Sequence, residues 1–281
     1  MDFTSRLAQA CQKGPGTRVC VGLDIDPAKM PPAFSKTPEG MRDFALAIVG
    51  ATHKFAAVLK TNLAFSEAEG AEGVLAELVQ EFRRKYPDLV IIGDGKPGDI
   101  GNTAKKYAKK LFQRYQFHAC TFNGYLGPSS LEPFLKYGPD YGVFALARTS
   151  NKDAAAMQDG MYTPPDGGEP MPYYLWMARQ MIAQQTDASA TVGLVMGATS
   201  PEQIKGLQGI VPVRHPLVIP GIGIQGGDLA ATVKNAKPWS FVVNSSREIL
   251  YGSSGEDFAE VAARTAEILR DQINEQLALA A

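Results

Sequence analysis

The chain has 281 residues, with 28 basic and 29 acidic side chains, so its formal charge at pH 7 is −1. A charge this close to zero argues against a nucleic-acid-binding surface and against a polybasic membrane anchor, since both need a clear basic excess. Hydrophobic residues make up 45% of the chain and charged residues 20%, a composition typical of globular proteins rather than disordered ones. At this length about three quarters of the unfolded surface can be buried, so the core needs no disulfides.

The cysteine count and the N-terminal sequence indicate a cytoplasmic protein. Cys11, Cys20 and Cys120 are odd in number and include no close pair, which favours a reducing compartment. Apolar side chains within 1–14 follow the spacing of an amphipathic helix and lack the apolar core of a signal peptide. No run of 18 apolar residues is present, so we expect no membrane span. The glycosylation pattern at 244–246 is therefore expected to stay unmodified.

Eight short apolar runs alternate with longer segments of helical periodicity along the chain. The apolar runs cover 18–23, 56–59, 89–92, 118–122, 142–147, 191–196, 217–219 and 240–243. Helical segments are expected over 37–55, 70–84 and 175–185. Eight strand–helix units in about 250 residues predict an α/β fold, a (β/α)8 TIM barrel, formed by 1–281 as a single domain. An open, doubly wound parallel sheet uses the same units and is the alternative.

The longest gap between predicted strands lies between the fifth and sixth apolar runs. It contains the Gly- and Pro-rich segment 157–174, which we interpret as an elaborated loop rather than a domain boundary. Its first part, 157–162, is either a lid over a site or a passive surface loop.

Polar residues stand at the carboxyl ends of the predicted strands. They include Asp24, Lys60, Asp94, Asn123 and Ser150. On a barrel these ends converge on one rim, where barrel enzymes build their active sites. A single polar residue at a strand end would not indicate a function, because the chain meets water at that point. So many together favour an active site.

The segment 94–100 carries three charges directly after the third predicted strand, at Asp94, Lys96 and Asp99. Asp94 and Lys96 are two residues apart, so in extended geometry their side chains point the same way. Lys60 ends the neighbouring strand and can reach them. Such a cluster keeps its lysines charged and suits a reaction that develops negative charge on carbon and then needs a proton. The alternative is a solvated turn, because Gly-Lys-Pro-Gly is typical of turns.

A phosphate site is predicted after the seventh and eighth strands, where barrels commonly bind phosphate. The glycines of 221–228 allow backbone N–H groups to approach an anion, and Gln225 adds an amide donor. Ser245, Ser246 and Arg247 begin a predicted helix, which offers a helix N-terminus and a guanidinium to the same anion. The glycine-rich loop lacks the Gly-Lys-Ser/Thr ending of nucleoside triphosphatases.

Metal binding is not indicated by the histidines and cysteines. His53, His118 and His215 are scattered, without the spacing of a metal site or a catalytic triad, and we expect structural roles for them. Cys20 and Cys120 lie inside apolar runs and are interpreted as small core residues.

In these residues and the segments around them, the chain resembles the longer-chain (type 2) subgroup of the orotidine 5'-phosphate decarboxylase family almost end to end. The matching segments are VCVGLDIDP at 19–27, LKTNLAFSEAEG at 59–70, DGKPGDIGNTAKKY at 94–107, ACTFNGYLG at 119–127, ARTSN at 147–151, MGATSPEQ at 196–203, PGIGIQGGD at 220–228 and SSREILY at 245–251. The Asp-x-Lys-x-x-Asp-Ile and Lys-x-Asn-x-Ala-Phe elements are the most specific of these.

The resemblance implies a homodimeric barrel that converts orotidine 5'-monophosphate to uridine 5'-monophosphate and CO2, without metal or organic cofactor, as the last step of de novo pyrimidine synthesis. The implied catalytic tetrad is Lys60, Asp94, Lys96 and Asp99. Within it, Lys96 would donate the proton and Asp99 would act in the partner's site.

The resemblance also assigns substrate contacts. The implied substrate-binding residues are Thr103 beside Asp99, Asp24 at the ribose hydroxyls, Ser150 at the pyrimidine amide edge, and Gln225, Ser246 and Arg247 at the phosphate. The sequence departs from the family pattern at three positions. Pro97 stands where relatives often have arginine, and Thr61 and Gly124 stand where proline is frequent. These changes leave the tetrad intact and bear on rate; Gly124 loosens the chain after the fourth strand.

Two other functions fit parts of the pattern. Magnesium-dependent decarboxylases and aldolases of sugar phosphates share the Asp-x-Lys-x-x-Asp element, but they place an acidic metal ligand where this chain has Lys60. A phosphate- or nucleotide-binding barrel without activity is the non-enzymatic alternative, and the complete tetrad argues against it.

Overall fold

Eight parallel strands close into a barrel in the computed structural model, which describes residues 1–223 and 226–279. The strands of these ranges are β1 (Val19–Gly22), β2 (Val58–Asn62), β3 (Val90–Asp94), β4 (Ala119–Phe122), β5 (Gly142–Arg148), β6 (Met161–Tyr162), β7 (Met171–Pro172), β8 (Thr191–Met196), β9 (Leu217–Pro220) and β10 (Phe241–Ser245). The barrel order is β1-β10-β9-β8-β5-β4-β3-β2, and β6 and β7 form a separate antiparallel pair. Closure of the sheet confirms the predicted TIM barrel and excludes the open doubly wound sheet.

One helix precedes the first barrel strand, and the others come after barrel strands along the chain. They are α1 (Phe3–Cys11), α2 (Pro38–Thr52), α3 (Leu63–Ala68), α4 (Glu72–Lys85), α5 (Gly101–Lys109), α6 (Glu132–Leu135), α7 (Ala154–Gln158), α8 (Tyr173–Ile182), α9 (Pro201–Lys205), α10 (Leu229–Ala236), α11 (Arg247–Leu250) and α12 (Phe258–Leu279). Short 3-10 segments lie at Pro27–Lys29, Gly124–Leu126 and Pro128–Leu131, and a π-helical turn at Lys110–Arg114 extends α5. Across the described residues, no helix is both long and apolar enough to cross a membrane.

The three helices predicted over 37–55, 70–84 and 175–185 are present as α2, α4 and α8, with their ends shifted by a few residues. The start of α2 shows the local cause of such a boundary. Thr37 precedes the helix, and its side chain accepts a hydrogen bond from the Gly40 N–H, while Pro38 occupies the first turn. Proline is favoured there because backbone N–H groups in the first turn have no acceptor within the helix, so the N–H that proline lacks is not needed.

The N-terminal amphipathic helix expected from the sequence is present as α1, and it closes the bottom of the barrel. Phe3 is fully buried, and its ring lies edge-on to that of Phe144, with the centroids 5.8 Å apart. Its backbone N–H donates to the Pro139 carbonyl at 2.7 Å. A Cβ on Gly142, the first residue of β5, would lie 2.6 Å from the Phe3 ring. Glycine therefore makes room for the aromatic ring that seals the barrel floor.

The inner face of the barrel changes from apolar to polar along β2, β3 and β10. Val58 and Ile92 belong to the inner apolar cluster, together with the buried side chains of α1. Side chains of a strand alternate between its two faces, so the residues two positions later, Lys60 and Asp94, also point inward. On β10 the same two-residue period places Asn244 on the same face as Val242. A layer of polar side chains thus rests on an apolar floor at the carboxyl ends of the strands.

The long segment between β5 and β8 contains a small hairpin that the sequence analysis did not predict. The strands β6 and β7 have two residues each and pair antiparallel. The Tyr162 ring packs against Trp176 and Tyr173 of α8, at centroid distances of 5.2 and 5.9 Å. Strands of two residues are too short to show an alternating pattern, so this hairpin depends on tertiary aromatic contacts.

Candidate active site

The carboxyl ends of the barrel strands enclose a cavity of about 520 Å³. Most of the predicted site residues line it, namely Asp24, Lys60, Asp94, Lys96, Ser150, Ser246 and Arg247. The expectation that polar strand ends converge on one rim is met by these residues. Asn123, by contrast, caps the following 3-10 segment by accepting a hydrogen bond from the Tyr125 N–H.

Asp94 is the centre of the charged layer. Its Oδ2 accepts a hydrogen bond from Lys60 Nζ at 2.6 Å, and its Oδ1 accepts one from Lys96 Nζ at 2.7 Å. The Thr121 hydroxyl donates to the same Oδ1 at 2.8 Å. Asp24 lies on the far side of Lys60, with its Oδ1 3.7 Å from that ammonium. The carboxylate of Asp94 is therefore clamped between two lysines, as the spacing of the sequence predicted.

The charges of this cluster depend on one another. Burial alone would raise the pKa of Asp94, but the Lys60 and Lys96 ammonium groups hold it well below its ordinary value. Burial alone would lower the pKa of Lys60, but the carboxylates of Asp94 and Asp24 raise it above its ordinary value. Opposite charges at hydrogen-bond distance favour the ionised forms. Asp94 and Lys60 consequently form an ionised pair at neutral pH.

The backbone after β3 turns so that Lys96 reaches the cavity from its rim. Lys96 has a φ of +46°, in the left-handed region that non-glycine residues seldom adopt. Its N–H donates to the Thr121 hydroxyl at 3.1 Å. Thr121 therefore supports both the backbone of Lys96 and the carboxylate of Asp94. Sequence reasoning missed Thr121; the available signal was a single hydroxyl inside the apolar run of the fourth strand.

Asp99 and Thr103 do not join the cluster within this chain. Asp99 is half-buried, and its side chain accepts a hydrogen bond from the next backbone N–H, that of Ile100, at 2.8 Å. Thr103 is exposed in the first turn of α5. Neither residue lines the cavity. One chain thus assembles Lys60, Asp94 and Lys96, while Asp99, the fourth predicted member of the tetrad, lies outside the cavity lining.

The predicted phosphate end lies where β9 and β10 finish. Ser246 and Arg247 line the cavity, whereas Gln225 lies outside the described residues. The Ser246 hydroxyl accepts a hydrogen bond from Asn244 Nδ2 at 3.3 Å. A Cβ on Gly22 would lie 1.9 Å from the Ser246 Oγ, so the end of β1 must be glycine for the serine to sit there. Asn244 was missed by sequence reasoning, although it also ends a predicted strand.

A carboxylate accompanies this phosphate end. Glu248 lines the cavity, and its Oε2 would lie 2.3 Å from a Cβ built on Gly223. Gly223 has a φ of +85°, which glycine adopts without strain. The Glu248 side chain therefore lies directly against Gly223. The predicted anion site carries a guanidinium and a carboxylate together.

The histidines bond to the backbone away from the cavity. His118 Nδ1 accepts from the Ile91 N–H at 3.0 Å, and burial, with a smaller effect of nearby arginines, lowers the pKa of His118 to about 3. His215 Nδ1 lies 2.8 Å from the Val192 carbonyl, and His53 Nδ1 lies 2.8 Å from that of Gly50. These contacts agree with the structural roles expected for them.

The chain is similar in sequence to known proteins over nearly its full length. The sequence profile of the family described as orotidine 5'-phosphate decarboxylase / HUMPS matches residues 17–255. The chain is 43% identical to the orotidine 5'-phosphate decarboxylase of Bordetella avium over 277 residues, which covers 98% of this chain and 99% of that one. It is 40% identical to the protein of the same name from Ralstonia nicotianae over 282 residues, with the same two coverages.

Solved structures show the same barrel. The Leishmania donovani OMP decarboxylase structure superposes with a TM-score of 0.79 at 29% identity, covering 99% of each chain. The profile matches most of the chain, and the relatives are identical to it at 40–43% of positions over nearly the full length. This chain therefore belongs to the orotidine 5'-phosphate decarboxylase / HUMPS family.

Proposed function

We propose that this protein decarboxylates orotidine 5'-monophosphate to uridine 5'-monophosphate and CO2. The observation that carries the proposal is Asp94 clamped between Lys60 and Lys96 in a cavity that Ser246 and Arg247 also line. The names of the similar proteins support the same substrate. A nucleotide of this kind carries a carboxylate at one end and a phosphate at the other, and the cavity has charged groups for both.

The chemical difficulty of this reaction is a carbanion on a pyrimidine carbon without a nearby electron sink. When the bond to the carboxylate breaks, CO2 leaves and the electron pair stays on the ring carbon. In our proposal the Lys96 ammonium stabilises that pair and then gives its proton to the same carbon. Charges already fixed in place need little reorganisation as the reaction proceeds, which makes them effective at lowering the barrier.

Asp94 has two roles in this mechanism. It holds the Lys96 ammonium at 2.7 Å and so orients the proton donor. It also presents negative charge to the substrate carboxylate, which would be repelled in the ground state and relieved of that repulsion on leaving as neutral CO2. Lys60, buried and bonded to the other carboxylate oxygen, keeps Asp94 ionised during the change.

The remaining contacts follow the shape of a nucleotide. Asp24 Oδ1 is buried, and among the described residues it has no hydrogen-bond partner, so we assign it to a ribose hydroxyl. Ser150 is assigned to the amide edge of the pyrimidine, and Ser246 and Arg247, with Gln225, to the phosphate. Binding energy from the phosphate can contribute to lowering the barrier at the distant reacting carbon.

The magnesium-dependent reactions of related barrels are less well supported. A divalent cation prefers carboxylate and water oxygens as ligands. Here the Lys60 ammonium lies 2.6 Å from Asp94 and 3.7 Å from Asp24, so a dication near those carboxylates would face a positive charge. We therefore propose a reaction that uses the chain's own charges.

We also propose that the protein acts as a homodimer with shared sites. Apolar side chains lie exposed around Asp99: Ile100 is 59% exposed, Tyr125 79% and Leu126 48%. The Asn123 N–H donates to the Pro97 carbonyl at 2.9 Å, which joins the loop before α5 to the segment that carries Tyr125 and Leu126. An apolar surface at the edge of a site is typical of an interface. A second copy would cover it and bring Asp99 and Thr103 to the partner's cavity.

The reaction is tested by following the loss of orotidine 5'-monophosphate absorbance, with and without EDTA. We expect loss of substrate at the same rate in both samples. Loss that stops with EDTA would indicate one of the magnesium-dependent reactions. Binding of the nucleotide without any loss would indicate a binding protein.

Substitution Lys96→Ala should abolish turnover and leave nucleotide binding largely intact, because it removes the proposed proton donor. General acids contribute typically ~10²–10⁴-fold to rate, and electrostatic stabilisation adds to this. Lys54→Ala, an exposed lysine outside the cavity lining, is the matched control and should keep full activity. Nearly normal decarboxylation by Lys96→Ala would contradict the mechanism.

Substitution Arg247→Ala should mainly weaken the binding of phosphorylated ligands. A charge-assisted hydrogen bond contributes about 1.5–3 kcal/mol, so we expect a loss of affinity of about ten- to hundredfold for uridine 5'-monophosphate. Orotidine without phosphate should bind almost as before, and the exposed Arg264→Ala should bind both ligands normally. An equal loss for both ligands would place Arg247 elsewhere than at the phosphate.

Shared sites predict that two inactive variants restore each other. In a mixed dimer of Lys96→Ala and Asp99→Asn, one site carries both defects and the other carries neither. Random exchange gives about half mixed dimers, so activity should recover to about a quarter of wild type if the sites are independent. No recovery in a sample shown by mass spectrometry to contain mixed dimers would mean that Asp99 acts in its own chain.

A further inference from the structure

The loop after β5 carries a chain of hydrogen bonds that the proposed mechanism does not use. Gln158 Oε1 accepts from the Thr149 N–H at 2.8 Å, and Gln158 Nε2 donates to the Thr149 hydroxyl at 2.8 Å. That hydroxyl in turn donates to Asn151 Oδ1 at 2.6 Å. All three residues line the cavity, with Ser150 between Thr149 and Asn151. The side chain of Gln158 therefore fixes the backbone that leads into Ser150.

The position of Gln158 is itself fixed by a buried ion pair. Arg148 is 4% exposed, and its Nε and Nη2 donate to the two carboxylate oxygens of Asp159 at 2.7 and 3.1 Å. Its Nη1 donates to the Thr149 carbonyl at 2.6 Å. Such two-point contacts between a guanidinium and a carboxylate define geometry closely. Because Asp159 follows Gln158 directly, the pair holds the end of α7 over the cavity.

Ser150 is held from its other side by the end of β8. A Cβ on Gly197 would lie 2.8 Å from the Ser150 Cα, so the two backbones are in close contact. The Thr199 hydroxyl donates to the Ser150 carbonyl at 3.4 Å. Among the described residues no side chain bonds to the Ser150 hydroxyl. Its backbone is thus fixed on both sides while its hydroxyl stays available to a ligand.

We propose that Gln158 is a positioning residue for recognition of the pyrimidine and acts through Ser150. This inference rests on the proposed function, since it takes Ser150 as the contact to the base. By bonding to both the N–H and the hydroxyl of Thr149, Gln158 keeps the Ser150 hydroxyl in its binding orientation before the nucleotide arrives. A group already ordered in its binding geometry avoids the entropic cost of ordering on binding.

Calorimetric titration with two ligands tests the proposal: uridine 5'-monophosphate, and ribose 5-phosphate, which lacks the base. Gln158→Ala should weaken binding of the nucleotide about three- to tenfold, which is the effect of losing one neutral hydrogen bond, here the bond between Ser150 and the base. Binding of ribose 5-phosphate should not change. Gln272→Ala, an exposed glutamine on α12, is the matched control. An equal loss for both ligands would overturn the proposal.

Thr149→Val removes the hydroxyl and with it the hydrogen bonds to Gln158 Nε2 and Asn151 Oδ1, at nearly the same side-chain size, and it keeps the backbone N–H bond to Gln158 Oε1. It should reproduce the selective loss, and Thr149→Ser, which keeps the hydroxyl, should restore nucleotide binding. These variants carry the test if Gln158→Ala does not fold. A normal nucleotide affinity for folded Thr149→Val would overturn the proposal.

A double-mutant cycle with Ser150→Ala separates action through Ser150 from direct contact. If Gln158 acts through Ser150, Gln158→Ala should cause no further loss of nucleotide affinity once Ser150 has become alanine. Losses that multiply would show that Gln158 contacts the ligand on its own and would overturn the positioning role. Equal affinity of the wild-type protein for the two ligands would instead overturn base recognition, and with it the proposed function.

Discussion

A carboxylate stays ionised at the buried position 94 because two ammonium groups and a hydroxyl bond to it. Isolated charges are expensive to bury, and removing one partner of a buried pair leaves the other uncompensated. The parallel register of β2 and β3, which pairs Lys60 with Ile92 and Asn62 with Asp94, sets Lys60 and Asp94 on the same inner face of neighbouring strands. Barrel closure and strand register are therefore what make the charged cluster possible.

The apolar floor beneath the cluster determines how strongly these charges act. Inward side chains such as Val58 and Val218, with Phe3 of α1 below them, fill the barrel. Electrostatic interactions weaken in water and strengthen where it is excluded. The same two-residue period that packs the floor places the polar layer directly above it. The first part of a strand thus contributes to the apolar core, and its carboxyl end contributes to the charged cluster.

The sequence predicted what depends on short-range pattern. Strand ends, helix positions and the contact of Asp94 with Lys96 follow from periodicity and spacing along the chain. It did not predict Gln158 contacting Thr149, because that pairing depends on the path of the loop after β5. The close approach of Ser246 to Gly22 joins the first and last strands and depends on closure of the barrel. Residues brought together by tertiary structure leave little local signal.

The charges lining the cavity bear on how the proposed reaction can work. In the described part of the lining, three cations face three carboxylates: Lys60, Lys96 and Arg247, and Asp24, Asp94 and Glu248. The lining from one chain thus has no net charge, and the partner's Asp99 would make it negative in the proposed dimer, so affinity for a nucleotide must come from individually placed contacts. Contacts at the phosphate and ribose can offset the repulsion between Asp94 and the substrate carboxylate. Since that repulsion ends when CO2 leaves, the binding energy favours the transition state over the bound substrate.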